Sequence, residues 1–263
     1  MKIYKTEPIM VIDDIPVFSK DDDYSSNYDE IADVLLESVN SGAGNPFMNE
    51  KLWAEAERDT VYICKKYYKP GDRILDIGVG LGRLLSYFDD VEKYGIDISV
   101  GMVKESRKKG IEACKGDVQE LPYVDDYFDI ILCTDVLEHV FDLNKTVSEM
   151  KRVLKPGGVL VVRVPNEENL EGYLAEDCPF EYVHLRMFSE SSLTLFFTKV
   201  FQFERLTSKK TYYMLKPIPI KRFVFIRRCI KLLEIILCKL LPPVRKKLKR
   251  PVEVIVAFRN QEN

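Results

Sequence analysis

Apolar positions along the chain change rhythm once. Ile31, Val34, Leu35 and Val39 recur at helical spacing, and the polar cluster Tyr24-Ser25-Ser26-Asn27-Tyr28 ahead of them predicts a helix starting near residue 28. Ser41-Gly42-Ala43-Gly44-Asn45-Pro46 breaks it. A second helix fits residues 49–68, with Leu52, Trp53, Ala56, Thr60 and Ile63 on one side, and Pro70-Gly71 ends it. Residues 1–20, interrupted by Pro8 and Pro16, show little periodicity.

After Gly71 short apolar runs alternate with helical stretches. Residues 74–77, 93–97, 111–114 and 128–134 read as strands, the last buried on both faces by its composition. Between them lie a glycine-rich turn with a helix through Leu84 and Leu85, and a helix from Ser99 to Lys109. A helix over 142–154 closes on Pro156-Gly157-Gly158 and leads into a strand at 159–164. A helix near 189–199, a strand near 200–206 and a strand at 252–258 complete the series. Seven strands alternating with helices predict an open, doubly wound, mostly parallel α/β sheet. The expected organisation is an N-terminal extension and helical cap (1–70), then one α/β domain (71–263) with an insertion at 208–251 ahead of its last strand.

Composition fits that picture. The chain has 263 residues, 46% hydrophobic and 31% charged, enough to bury a core without staples and unlike a disordered chain. There is no apolar run long enough to span a bilayer and no signal-peptide pattern at the start, so a cytoplasmic location is the default expectation. Cysteines 64, 114, 133, 178, 229 and 238 never form a C-x-x-C pair and read as reduced thiols; no metal site is expected.

Charge is what complicates it. Residues 205–251 hold fifteen Lys and Arg against the single acid Glu234, a net +14 that leaves −17 for the rest of the chain. From Lys221 to Leu241 the apolar residues share one helical face, before Pro242-Pro243 and a cationic run to Arg250. Such a helix, with the segment 216–250 around it, suits an anionic membrane surface, apolar side down, or else packs on the core or on a second subunit as in a homodimer. Nucleic acid ranks third, since no recognised binding motif accompanies the cations.

In an open α/β sheet, ligands bind at the carboxyl ends of the strands. Asp76 ends the first predicted strand, and Gly78-Val79-Gly80-Leu81-Gly82 turns into the following helix. Glycines there let backbone N–H groups approach a ligand. Asp97, followed by Ile98, ends the second strand, where a carboxylate can accept both hydroxyl protons of a ribose. Asp117-Val118 follows the third strand, a polar and an apolar contact for an adenine edge. Asp135-Val136-Leu137-Glu138-His139 follows the fourth. The spacing is G-x-G-x-G with Arg83 next, whereas dinucleotide enzymes use G-x-G-x-x-G.

The series ILDIGVGLGRLL, YGIDIS, GDVQELPY, FDIILCTDVLEHV and LKPGGVLVVRVPN resembles the class I S-adenosylmethionine-dependent methyltransferases, in particular the type 11 group with the ubiquinone and menaquinone methyltransferases. The resemblance covers about residues 70–207 and implies a Rossmann-like methyltransferase fold. It implies that Gly78, Gly80 and Gly82 line the methionine moiety, Asp76 holds its amino end, Asp97 the ribose, and Asp117 with Val118 the adenine. FEYVHLRMFSESSL looks like a stretch that borders the substrate pocket in this group. EPIMVIDDIPVFSKDDDYSSNY resembles the end of a zinc-ribbon-like module sometimes fused ahead of such enzymes, without its cysteines, so no zinc is inferred.

The activity implied is methyl transfer to a small or lipid-linked metabolite, with a hydroxyl oxygen as the expected acceptor. A methyltransferase-fold scaffold without turnover, or an RNA or protein methyltransferase, is the alternative. His139 and His184, the only two histidines, are candidate bases, with Glu138, Glu181 and Tyr182 behind them. For His139, orienting the loop after the fourth strand is the plainer role. Tyr24, Tyr28 and Trp53 suit a helical lid or ordinary packing equally.

Overall fold

The computed structural model describes residues 3–176, 178–214 and 249–261. Nine strands form one sheet: β1 (Met10–Ile12), β2 (Ile15–Val17), β3 (Arg73–Ile77), β4 (Glu92–Asp97), β5 (Glu112–Lys115), β6 (Phe128–Thr134), β7 (Leu154–Pro165), β8 (Glu204–Met214) and β9 (Lys249–Arg259). Their order is β1-β2-β5-β4-β3-β6-β7-β9-β8. The five neighbouring pairs from β2 to β7 are parallel, and β1, β9 and β8 add antiparallel pairs at the two sides. The seven expected strands are present. The other two come from the segment without periodicity, where Val17 pairs with Lys115 and extends the sheet beyond β5.

The helices are α1 (Asp23–Asn40), α2 (Glu50–Cys64), α3 (Val100–Arg107), α4 (Leu143–Val153) and α5 (Glu190–Leu195). Strand residues alternate between faces, so Leu75, Ile77 and Val162 pack with Val147 and Met150 of α4 and Leu193 of α5. Ile74, Ile130 and Val161 pack on the opposite face with Ile63 and Cys64 of α2 and Val103 of α3. β6 is buried along almost its whole length, as its composition predicts.

Several boundaries differ from expectation: α2 ends at Cys64 rather than 68, and β7 begins at Leu154 and takes in Pro156-Gly157-Gly158. α1 starts at Asp23, because Asp22 caps it: the Asp22 carboxylate accepts from the Ser25 N–H (2.7 Å), and the Ser25 hydroxyl accepts from the Asp22 N–H (2.8 Å). The helix expected through Leu84 and Leu85 is only a 3-10 turn over Leu85–Tyr87. β8 runs on to Met214 and β9 begins at Lys249, so the insertion is narrower than 208–251. Arg205 pairs with Glu190 (2.6 Å), Lys209 with Asp59 (3.2 Å) and Lys210 with Glu190 (3.4 Å). Three of the fifteen cations thus serve the acidic body itself. The amphipathic helix expected within 216–250 falls almost entirely outside the described residues. No described helix is long and apolar enough to cross a membrane.

Candidate functional site

The chain leaves β3 and crosses to β4 on one side, while β6 returns on the other side of β3. A crevice opens at such a reversal, outside the carboxyl ends of the strands. Residues from four separate turns, after β3, β4, β5 and β6, meet there. Gly78, Asp97, Ile98, Asp117, Val118 and Asp135 line one cavity of about 170 Å³, whose wall continues through His139, Tyr24 and Tyr28. Asp76, Gly80 and Arg163 line a second, of about 200 Å³, and Gly78 and Asp135 border both.

Asp97 is buried and braced by backbone. Its carboxylate accepts from the N–H groups of Gly80 (2.9 Å) and Ser99 (3.0 Å). Burial raises its pKa, and the backbone donors of Ser99 and Gly80 oppose the rise. Two bonds leave lone pairs on both oxygens for a ligand. Asp76 is 2% exposed and its Oδ1 has no partner; burial drives its pKa well above the ordinary carboxylate range. An acceptor orphaned at a cavity wall suits a cationic group from outside.

Gly78 needs its glycine. Its φ is +69°, and a Cβ there would stand 2.4 Å from Val136 Cγ2. Gly82 behaves otherwise: it borders neither cavity, and a Cβ would strike Ile111 Cδ1 at 2.6 Å. It lets the turn press on α3. Arg83 then ties the turn to α2, donating to both Glu57 oxygens (2.5 and 3.0 Å) while its guanidinium lies 3.7 Å from the Trp53 ring centroid. Trp53 thus lines the second cavity, and Tyr24 and Tyr28 line the first.

A second group of side chains adjoins this site. His139 and His184 stack edge to face with centroids 4.6 Å apart. His184 Nδ1 binds the Glu168 carboxylate, to which Tyr173 also donates (2.9 Å). The Tyr28 hydroxyl lies 2.9 Å from His139 Nδ1. Burial, and then His184, lower the His139 pKa to about 4, so its ring is neutral. Glu138 is fully buried with neither carboxylate oxygen partnered, and burial followed by Asp135 raises its pKa. Tyr24, Phe141 and Tyr182 form an aromatic wall, with ring centroids 4.7–5.6 Å apart.

The structure thus brings every expected site residue to the crevice wall except Gly82 and His184, and His184 reaches it only through His139. Sequence reasoning missed Asn27, Glu57, Arg163 and Glu168. Asn27 Nδ2 donates to Tyr182 O (2.9 Å), and its Oδ1 accepts from the N–H groups of Glu181 and Tyr182, fixing the loop that carries His184. Arg163 gave a signal, as a lone cation in the apolar run VLVVRVP. Glu168 gave none, lying in a polar loop among other acids.

Residues 75–162 match the methyltransferase domain family of type 11. The demethylmenaquinone methyltransferase of Symbiobacterium thermophilum is 31% identical over 142 residues, 49% of this chain and 55% of that protein. The chain spans about half the length of the curated relatives it matches. Among solved structures, the [4+2]-cyclase SpnF superposes with a TM-score of 0.58 at 20% identity, covering 91% of this chain and 97% of that one. Phosphoethanolamine N-methyltransferase 2 of Haemonchus contortus, in complex with S-adenosyl-L-methionine, gives 0.53 at 18% identity, covering 78% and 53%. At these identities the two structures speak for the fold alone.

Proposed function

We propose that this chain, whose residues 75–162 belong to the class I, type 11 methyltransferases, moves a methyl group from S-adenosylmethionine to the hydroxyl oxygen of a small or lipid-linked acceptor. The observation that carries the reading is the Asp97 carboxylate, braced by Gly80 and Ser99 at the floor of a cavity that Gly78 keeps open. Asp97 would hold the ribose hydroxyls, and Asp117 with Val118 the adenine edge. Asp76, with its orphaned oxygen, fits the ammonium end of the methionine moiety. Gly78 and Gly80 would lie along that moiety, whereas Gly82 supports the turn.

The cofactor supplies a methyl group on a sulfonium leaving group, and transfer is an in-line displacement in which charge is lost. Alignment and exclusion of water therefore matter most. Tyr24 and Tyr28 on α1 and Trp53 on α2 line the two cavities, which supports reading residues 1–70 as a cover for the domain that follows. The wall of Tyr24, Phe141 and Tyr182 suits a flat, apolar acceptor, and the His139–His184 pair supplies the groups for its hydroxyl. The arm at 216–250 would bring the enzyme to an anionic membrane face that carries a lipid-linked acceptor.

Calorimetry with the cofactor or its demethylated product tests the binding half. Asp97→Ala should weaken affinity at least tenfold, since a hydrogen bond to a charged group contributes about 1.5–3 kcal/mol. Incubation with labelled cofactor and fractionated metabolites tests the acceptor. Label confined to protein or RNA would refute the choice of acceptor. Cofactor bound without turnover on any fraction would favour a scaffold.

A further inference from the structure

Glu138, His139 and His184 place one donor atom each within 4.8 Å of the others. We propose that they form a binding site for a divalent ion of the zinc type, at the acceptor end of the crevice. The first support is Glu138. A fully buried carboxylate with both oxygens unpartnered is costly unless a cation joins it. The second is the way the rings are held. His184 Nδ1 donates to Glu168, itself fixed by Tyr173, and His139 Nδ1 faces the Tyr28 hydroxyl (2.9 Å) and Val183 O (3.4 Å). Nε2 of each ring carries no hydrogen bond among the described residues. Metal-binding histidines are held this way, with the second nitrogen bonded to a carboxylate or carbonyl.

Two imidazoles and one carboxylate suit zinc, manganese, iron or cobalt rather than calcium or magnesium. Three protein ligands leave a coordination position open, as in catalytic rather than structural sites. Donor atoms in a tetrahedral site with bonds of about 2.0–2.1 Å stand about 3.3 Å apart, so the side chains must draw in by about an ångström or more. Glu138 and His139 enter from the turn after β6, and His184 from the loop between β7 and α5. The sequence alone suggested no metal, because His139 and His184 stand far apart along it.

On the reading of methyl transfer given above, on which this use of the site rests, the open position takes the acceptor hydroxyl. The ion lowers the pKa of that hydroxyl, and its proton passes to solvent. The oxygen electron pair forms the new O–CH3 bond while the S–CH3 bond breaks and leaves its pair on sulfur. The ion does not change oxidation state. His139 and His184 then act as ligands, and neither takes the proton.

The test is Co2+ titration of the chelator-stripped full chain, followed by visible absorption and calorimetry. One equivalent should bind and develop ligand-field bands in the visible range. Glu138→Gln and His184→Gln should each weaken binding at least about 100-fold, and the outer-lying Glu168→Gln about 10–100-fold. Circular dichroism checks that each variant is folded; Glu168→Gln carries the test if the two ligand variants are not. Asp97→Ala should keep Co2+ affinity while losing the cofactor, so failure of the metal site and failure of the methyltransferase reading are separable. Absence of Co2+ binding, or equal binding by wild type and the folded variants, overturns the proposal.

Discussion

Asp135 and Arg163 lock the ends of two neighbouring strands together. The Asp135 carboxylate accepts from the guanidinium, with Nε at 3.1 Å, and the Asp135 N–H donates to Arg163 O at 3.0 Å. Asp135 adopts a φ of 56° there, a left-handed conformation that Asp enters more readily than most residues. Arg163 is 3% exposed and also reaches Thr60 Oγ1 on α2 (3.2 Å). Its charge faces Asp135, Glu253 and Glu57 and acts on Asp76.

Arg163→Met should therefore destabilise the protein by about 3–5 kcal/mol, the range for removing one partner of a buried pair. Urea denaturation measures it. A loss below about 1 kcal/mol would mean that the surrounding carboxyls take up protons and dispense with the cation.

Gly78→Ala combines two faults. A left-handed alanine costs about 1–2 kcal/mol, and the new Cβ meets Val136 Cγ2, an overpacking worth about 1–3 kcal/mol. Adding Val136→Ala should recover only the contact part. Thermal unfolding of the single and double variants separates the two; a double variant no more stable than Gly78→Ala would remove the clash from the account.

Asp76 predicts a pH dependence of opposite sign to most carboxylates. Burial raises its folded pKa, Arg163 opposes the rise, and Asp97, Asp135 and Glu57 add to it. The native state thus keeps a proton that the unfolded chain releases near 3.9. Stability from this group is fully present below that value, declines as pH rises, and levels off above the folded pKa. Asp76→Asn should match wild type in acid and exceed it in Tm at neutral pH without cofactor, while weakening cofactor binding. Parallel Tm profiles for the two proteins across the whole pH range would count against it.

The cationic segment predicts salt-dependent attachment to anionic vesicles. Each Lys or Arg near such a surface contributes about 1 kcal/mol, and screening weakens it at high salt. Flotation at low and high ionic strength measures it, with the chain lacking 216–248 as the control. Equal flotation with and without the segment would place the membrane contact elsewhere, and no flotation at low salt would remove it.

Much of the site was legible because it is built from local signals. Short apolar runs bounded by turn residues set β3, β4 and β6, and a carboxylate or glycine at the end of each run is carried to the same edge of the sheet once the strands are parallel. Asp76, Gly78, Asp97, Asp117 and Asp135 could be located that way. A glycine turn does not say whether the missing side chain of Gly82 makes room for a ligand or for the helix behind it; a Cβ there would meet Ile111 and Ser106.

What the chain pattern could not contain is who meets whom across the fold. Lys209 and Lys210 read as part of a basic arm, yet Asp59 on α2 and Glu190 on α5 make a strand their place. Val17 joins the sheet edge only because Lys115 lies open beside it. His184 reaches His139, and Glu168 reaches His184, because Asn27 of α1 pins the intervening loop. Backbone periodicity depends on neighbours a few positions away, so the sequence by itself determined the seven periodic strands and the order of the strand-end acids, while β1, β2 and the short turn at Leu85–Tyr87 escaped it. Contacts between loops depend on where distant elements cross, so only the tertiary structure decided the histidine pair and the buried Glu138 beside it.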